Sequence, residues 1–332
     1  IQLVLARTPD SPPGTSGISC FIVPKYLVGD DGVLGERNDY KCLSVEHKLG
    51  LHASPTCVIS YGEAGDGAVG YLIGEEHQGM RYMFKMMNNA RLGVGVEGLA
   101  VAEGALQHAA AFALERRQGR AVGAPAGEQS LIVDHPDVRR MLLTMRAYTD
   151  AMRCVLYANS SALDVAKRHP DPETRQAASD RAELLTPISK AWCTDLGVEL
   201  TSMGIQVHGG YGYIEETGAA QYLRDSRISP IYEGTNGIQA LDLVGRKLPM
   251  KEGGVVGDLL AEIGFLDASL AEAGPGFESI RVNLTDAQAA TGEATRWLMA
   301  NGAGDPTDAM AGATPYRRML GQLVGGWLLA RL

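Results

Sequence analysis

Hydrophobic and polar positions divide the chain into two regimes. Over residues 1–75 the apolar runs are short, at 3–6, 18–23, 56–60 and 69–73. Clusters of Gly, Pro and Asp, such as Asp10-Ser11-Pro12-Pro13-Gly14 and Gly29-Asp30-Asp31-Gly32, lie between them. Short runs bounded by turn residues predict strands, because the chain must reverse between them. The four runs predict one partial sheet. After Gly74 the apolar period lengthens. Residues 91–116 are rich in Ala and Gly and contain no Pro. Small residues let helices approach closely, although each Gly costs a helix about 1 kcal/mol relative to Ala. A second segment opens at His135-Pro136 and carries Val138, Leu142, Met145, Tyr148, Met152, Val155, Asn159 and Ala162 on one stripe. A third carries Leu185, Ile188, Trp192, Leu196, Leu200 and Met203 in the same way. Pro187 lies inside it, and the missing N–H predicts a kink or break. A fourth helix is predicted from about residue 235 to 248.

Four such segments fit an antiparallel bundle. Residues 249–254 read as a linker, and about three further helical patterns follow, separated near 273–276 and 301–304. The expected class is α+β, mainly α. It comprises a partial β-domain (1–75), an antiparallel four-helix bundle (76–248) and a C-terminal helical extension (249–332). No internal repeat is visible.

Length and composition narrow the possibilities. At roughly 100–200 residues per unit, 332 residues suffice for two or three. The net charge of −9 argues against nucleic acid as the main ligand, since phosphate recognition needs clustered Lys and Arg. No apolar run approaches the roughly 18 residues of a membrane span. The five cysteines are odd in number and have no CxxC spacing, so free thiols in a reducing, cytoplasmic compartment are expected, with no metal site. Trp192, Trp297 and Trp327 fall at helical spacing and are expected in the core. His108 and His169 are expected to be surface or satisfied residues. The chain opens at Ile1 inside a strand-like run and stops inside an apolar helical run, so both ends are expected to be cut from a longer protein.

Chemistry concentrates in residues 224–239. There Glu233 stands between Tyr232 and Gly234, just before a helix expected to begin at Thr235 or Asn236. Two readings are open on these residues alone. Glu233 is a solvated carboxylate favoured by the helix dipole, or a base projecting from a turn beside a glycine that leaves room for a ligand.

The segment Ile231-Tyr232-Glu233-Gly234-Thr235-Asn236 resembles the catalytic signature of FAD-dependent acyl-CoA dehydrogenases. Upstream, Gln206-Val207-His208-Gly209-Gly210-Tyr211-Gly212-Tyr213 is similar to that family's glycine turn, and Arg224-Asp225 to the pair before its catalytic loop. Residues 49–54 and 73–80 resemble its final β-domain segments. The resemblance covers residues 1 to about 248. Residues 249–332 are similar to the extra helical domain of a longer bacterial subgroup, which includes methylmercaptopropionyl-CoA and fatty-acyl-CoA dehydrogenases.

The resemblance implies α,β-dehydrogenation of an acyl-CoA thioester to a trans-2-enoyl-CoA. Glu233 is then the base at the α-carbon and flavin takes the β-hydride. The thioester oxygen is expected to accept from the base's own N–H and the flavin ribityl chain. Asn88, Arg91 and Gly234 align with substrate-contacting positions, and Thr235 and Asn236 with residues beside the flavin of the same subunit. Arg116 aligns with an arginine at the cofactor pyrophosphate, a role suited to its forked donors. Gln118, His135, Gln206, Gly209 and Gly210 align with further cofactor positions. Arg116 and the glycine turn are implied to serve the FAD of a neighbouring subunit, so a homodimer or tetramer is expected. Electron-transfer flavoprotein is the expected electron acceptor. The alternatives are an acyl-CoA oxidase-like or nitroalkane oxidase-like flavoenzyme, and an inactive fragment or non-catalytic scaffold.

Overall fold

The computed structural model describes residues 1–65, 67–302 and 306–332, with the backbone alone at Asn88. The chain forms two compact units, Ile1–Ala90 and Arg91–Leu332. The first contains strands β1 (Gln2–Arg7), β2 (Ile18–Val23), β3 (Tyr26–Val28), β4 (Leu34–Arg37), β5 (Tyr40–Val45), β6 (Cys57–Tyr61) and β7 (Tyr71–Leu72). β1, β2 and β7 form an antiparallel sheet in that order, with Gln2 opposite Val23 and Arg7 opposite Ile18. The apolar runs at 3–6, 18–23 and 69–73 thus meet in one sheet. The run at 56–60 does not join them: β6 pairs with β5, and β3 pairs with β4. The sequence pattern missed β3, β4 and β5 because their side chains face water. All four residues of β4 are exposed, as are five of the six in β5. A strand without a buried face carries no apolar alternation to read. Buried Asn38 ties these segments together, donating to the carbonyls of Pro24 (2.9 Å) and Val69 (2.8 Å) and accepting from the Val69 N–H (2.9 Å).

Helices make up most of the rest. The boundary between the units falls within α1 (Gly79–Glu115). There follow α2 (Pro136–Arg168), α3 (Pro172–His208), α4 (Ala219–Ser226), α5 (Asn236–Asp242), α6 (Gly254–Gly264), α7 (Leu266–Glu272), α8 (Glu278–Asn301), α9 (Pro306–Ala311) and α10 (Ala313–Ala330). The predicted stripe of α2 is its inner face, with Met145, Met152, Val155 and Asn159 fully buried. α3 starts well before the apolar pattern at 185, because Asp171 accepts from the Thr174 N–H (2.9 Å) and Pro172 occupies the first turn. No break occurs at Pro187. Proline inside a helix costs about 3 kcal/mol, but burial of Leu184, Leu185, Ile188 and Trp192 on either side holds the helix together. The fourth predicted helix is shorter than expected. α5 passes into a π-turn, Leu243–Lys247, and Lys251 and Glu252 then take left-handed backbone angles in the predicted linker.

The small residues of α1 act as anticipated. A Cβ on Gly98 would stand 2.8 Å from the Cys193 carbonyl oxygen, so α1 and α3 meet backbone to backbone. α10 packs on α2, α3, α5 and α8, which makes the C-terminal segment part of one continuous core with the bundle. Its seat is Trp192, buried on α3. A Cβ on Gly321 would lie 2.5 Å from Trp192 Cγ. Gly321→Val is therefore expected to destabilise the protein by about 2 kcal/mol through overpacking, seen as a lowered midpoint in thermal unfolding followed by circular dichroism. An unchanged midpoint would show that α10 is loosely seated. Trp327 is buried as expected, but Trp297 is 49% exposed, because it lies on the outer face of α8. Among the described residues, no helix is long and apolar enough to cross a membrane.

Candidate active site

α4 and α5 are joined by a loop that places Glu233 near its apex. The N–H of Asn236 donates to the Pro230 carbonyl (3.0 Å) and closes the loop at its base. Thr235 caps α5, its hydroxyl accepting from the Ile238 N–H (3.3 Å). Inside that closure Glu233 takes φ 57° and Gly234 φ 84°. The left-handed region is unfavourable for a residue with a Cβ by roughly 1–2 kcal/mol, so the surroundings must impose it on Glu233. They do so from α1. Glu97 accepts hydrogen bonds from the hydroxyls of Ser229 (2.7 Å) and Tyr232, on the same loop. Burial and the Glu97 carboxylate push the Tyr232 phenol well above its usual range, which keeps it a donor. At Gly234 the positive φ would strain any side chain, and a Cβ would lie 2.8 Å from Gln239 Nε2 and 3.5 Å from Arg91 Nη2. Arg91, Glu233, Gly234 and Gln239 thus converge at one end of the helical unit. Glu233 is half-buried there. Gln239 is fully buried, and neither polar atom of its amide has a hydrogen-bond partner among the described residues. The side chain of Asn88 lies outside the described residues.

Beneath the loop is a buried polar network. Asn236 donates to Asp195 Oδ1 (2.6 Å), Thr194 Oγ1 (2.9 Å) and the Ala191 carbonyl (3.1 Å), and its own oxygen accepts from Lys190 Nζ (2.8 Å). Its amide is thereby committed to α3. Asp195 Oδ2 in turn accepts from Arg317 Nη2 (2.5 Å), which reaches in from α10. Lys190 is fully buried. Desolvation lowers its ammonium from an ordinary 10.5 to about 8, partly opposed by Asp195 and Glu233 and assisted by Arg317 and Arg91.

The remaining predicted residues gather at the other end of α1. Past Glu115 the chain bridges antiparallel to residue 131, with the Gln118 N–H on the Ser130 carbonyl (3.0 Å) and the Ile132 N–H on the Arg116 carbonyl (2.8 Å). This bridge sets His135 against Gln118, the ring Nε2 lying 2.8 Å from the Gln118 carbonyl oxygen. The Arg116 guanidinium lies 5.3 Å above the Tyr211 ring, which joins this cluster to the Gly209–Tyr213 turn. Gly209 turns the chain at the end of α3 with φ 59°, and Gln206, Gly209 and Gly210 are exposed. A Cβ at either glycine would meet nothing within 4 Å, so the backbone there is open to a ligand.

The predicted site residues therefore fall into two groups. At about 1.5 Å per residue, Arg91 and Glu115 are about 36 Å apart along α1. Sequence reasoning missed Glu97, Lys190, Asp195, Gln239 and Arg317. A signal existed for two of them: Glu97 is the one charged residue in the small and apolar stretch 92–102, and Lys190 sits within the apolar pattern of 184–193. Neither position betrays its partner.

Residues 77–248 match the family described as acyl-CoA dehydrogenase, C-terminal domain, and residues 259–332 match the family described as acetyl-CoA dehydrogenase C-terminal like. The chain is 48% identical over 330 residues to a 3-methylmercaptopropionyl-CoA dehydrogenase of Ruegeria pomeroyi, covering 99% of this chain and 55% of that protein. Its fold is similar to that of Caenorhabditis elegans ACDH-11 in complex with C11-CoA, with a TM-score of 0.74 and 23% identity over 98% of this chain and 52% of the other. An acyl-CoA dehydrogenase from Bacillus anthracis complexed with FAD matches with a TM-score of 0.73 and 21% identity, over 97% and 52%. The chain spans about half the length of these proteins. With more than half of its residues inside the first match, this chain belongs to the acyl-CoA dehydrogenase family.

Proposed function

We propose that the protein to which this chain belongs oxidises an acyl-CoA thioester at its α,β bond, with Glu233 as the base. The observation that carries the reading is the conformation of Glu233: a left-handed carboxylate on a loop pinned by Glu97 and by the Asn236 N–H, beside Arg91 and the unpartnered amide of Gln239. Left-handed strain at a non-glycine residue and buried polar atoms without partners concentrate where a ligand completes the structure. In this reading Glu233 holds its carboxylate ready for the α-proton, and its backbone N–H, turned by the unusual φ, faces the thioester oxygen on which charge develops. Arg91 and Gly234 border the acyl-CoA in this reading. Asn88 is assigned to the substrate by the family resemblance alone.

FAD supplies the acceptor for the β-hydride when it is bound. The residues present fit it. Arg116 offers a forked cation for a pyrophosphate, Gln118 and His135 stand beside it, and the open turn at Gly209 and Gly210 admits a flat or phosphorylated group against backbone. Gln206, exposed on the last turn of α3, adds a polar side chain to the same end. Thr235 and Asn236 flank the base at the opposite end. The separation of the two groups along α1 is about 36 Å. It favours a homodimer in which each cofactor is shared between two chains. Electron-transfer flavoprotein is the acceptor in this reading, residues 1–75, 76–248 and 249–332 are its three working parts, and the compartment is cytoplasmic. The relatives named above, one with C11-CoA and one with FAD, support the substrate class and the cofactor.

The test is spectral. The purified protein loaded with FAD and held free of oxygen is expected to lose its yellow absorbance on addition of one member of a saturated acyl-CoA panel, with formation of a 2-enoyl-CoA. No bleaching by any chain length would reject the reading, and rapid recolouring in air would make the enzyme an oxidase.

A further inference from the structure

We infer that Arg317, on the C-terminal helix α10, is a positioning residue of the Glu233 loop, acting through Asp195 and Asn236. The inference rests on the reading of Glu233 as the base and adds that the C-terminal helix α10 takes part in holding that base. The chain of contacts is direct. Arg317 Nη2 donates to Asp195 Oδ2 (2.5 Å), Asp195 Oδ1 accepts from the Asn236 amide (2.6 Å), and the backbone N–H of Asn236 closes the loop on Pro230 (3.0 Å). Asn236 is three residues from Glu233, and no other element intervenes.

The chemistry of Arg317 is unlike that of a packing residue. It is 2% exposed, and its Nε and Nη1 are buried without a hydrogen-bond partner among the described residues. A guanidinium buried with one carboxylate and two idle donors is a poor way to hold two helices together, since an apolar side chain of similar volume is commonly neutral or better. Its position gives another reason for it. Arg317 pairs with Asp195 beside Lys190, which rests on the Asn236 oxygen, and the fields of Arg317 and Glu233 both reach Lys190. Geometry and charge thus act together: Asp195 fixes Asn236, and Arg317 fixes Asp195 while balancing its charge.

The test compares the parent protein with R317M, R317K and D195N, using backbone hydrogen exchange by mass spectrometry beside steady-state kinetics on a saturated acyl-CoA. In R317M the peptide spanning residues 227–238 is expected to exchange about tenfold faster, the loss of one charge-assisted hydrogen bond, while peptides from the middle of α2 keep parent protection. kcat should fall about tenfold or more and KM stay within about twofold, because the loss falls on the base rather than on binding. R317K keeps a donor for Asp195 and should recover most of both. D195N cuts the same chain from the other end and carries the test where R317M does not fold. Parent-like protection of 227–238 in a folded R317M or D195N would overturn the proposal. So would a rise in exchange no larger in the loop than in α2 and α10, which marks general loosening. Normal turnover in Glu233→Gln would reject the base while leaving the loop-protection result standing, so the two failures are distinguishable.

Discussion

Glu233→Gln is expected to lower kcat by about a thousandfold, within the range lost when a positioned general base is removed. The substitution keeps the volume of the side chain and its ability to accept a hydrogen bond, and takes away only the capacity to hold a proton from the substrate. The loop itself should not move. Its closure by the Asn236 N–H, its cap at Thr235 and its tether to Glu97 do not involve the Glu233 side chain. KM and the melting midpoint should therefore stay close to those of the parent, and α-proton exchange from a bound acyl-CoA, followed by NMR in heavy water, should slow together with kcat. Parent-like proton exchange in the variant would reject Glu233 as the base. A fall in KM and kcat together with a lowered midpoint would show instead that the carboxylate supports the fold.

The second large effect is on stability. Asn236→Leu removes three donated hydrogen bonds and takes from Lys190 the oxygen on which its ammonium rests. Leaving a buried charged group without its hydrogen-bond partner costs about 3 kcal/mol or more, a large share of the roughly 5–15 kcal/mol that holds a typical domain folded. Urea unfolding should show it, and Lys190→Met should recover part of the loss in the double variant, since a buried cation no longer needs a partner. The pH dependence has a definite sign. The folded-state value for Lys190 is about 8, below its ordinary 10.5, so between these values the unfolded chain binds more protons and stability from this group rises with pH. Below about 8 both states are protonated and the penalty of the buried charge is present in full. Asn236→Leu withdraws a group that favours the charged form, so its rise in stability should begin at lower pH than in the parent. A loss under about 1 kcal/mol that is the same at pH 6 and pH 10 would mean that Lys190 finds another acceptor.

How much of this was legible beforehand depends on burial. Met145, Met152, Val155, Leu196 and Leu200 declared the inner faces of α2 and α3, because helical spacing and burial coincide there. Glu233, Gly234 and Thr235 could be singled out because a carboxylate, a glycine and a capping residue in that order specify a turn before a helix, and α5 starts where they indicated. β3, β4 and β5 were not visible, since water-facing strands leave no hydrophobic period, and Pro187 was over-read because its cost is local while the burial that outweighs it is not.

The amino-acid sequence by itself determined the elements with one apolar face, the cap at Thr235 and the local turn on which Glu233 sits, since each of these is fixed by residues within a few positions of one another. Only the tertiary structure decided what stands around that turn. Glu97 lies 135 positions from Tyr232, Lys190 lies 46 from Asn236 and Arg317 lies 122 from Asp195. Spacing along a chain cannot pair such residues. Packing of α1, α3, α5 and α10 into one core does so, because a buried charge or amide must find its partner wherever the fold brings one within reach.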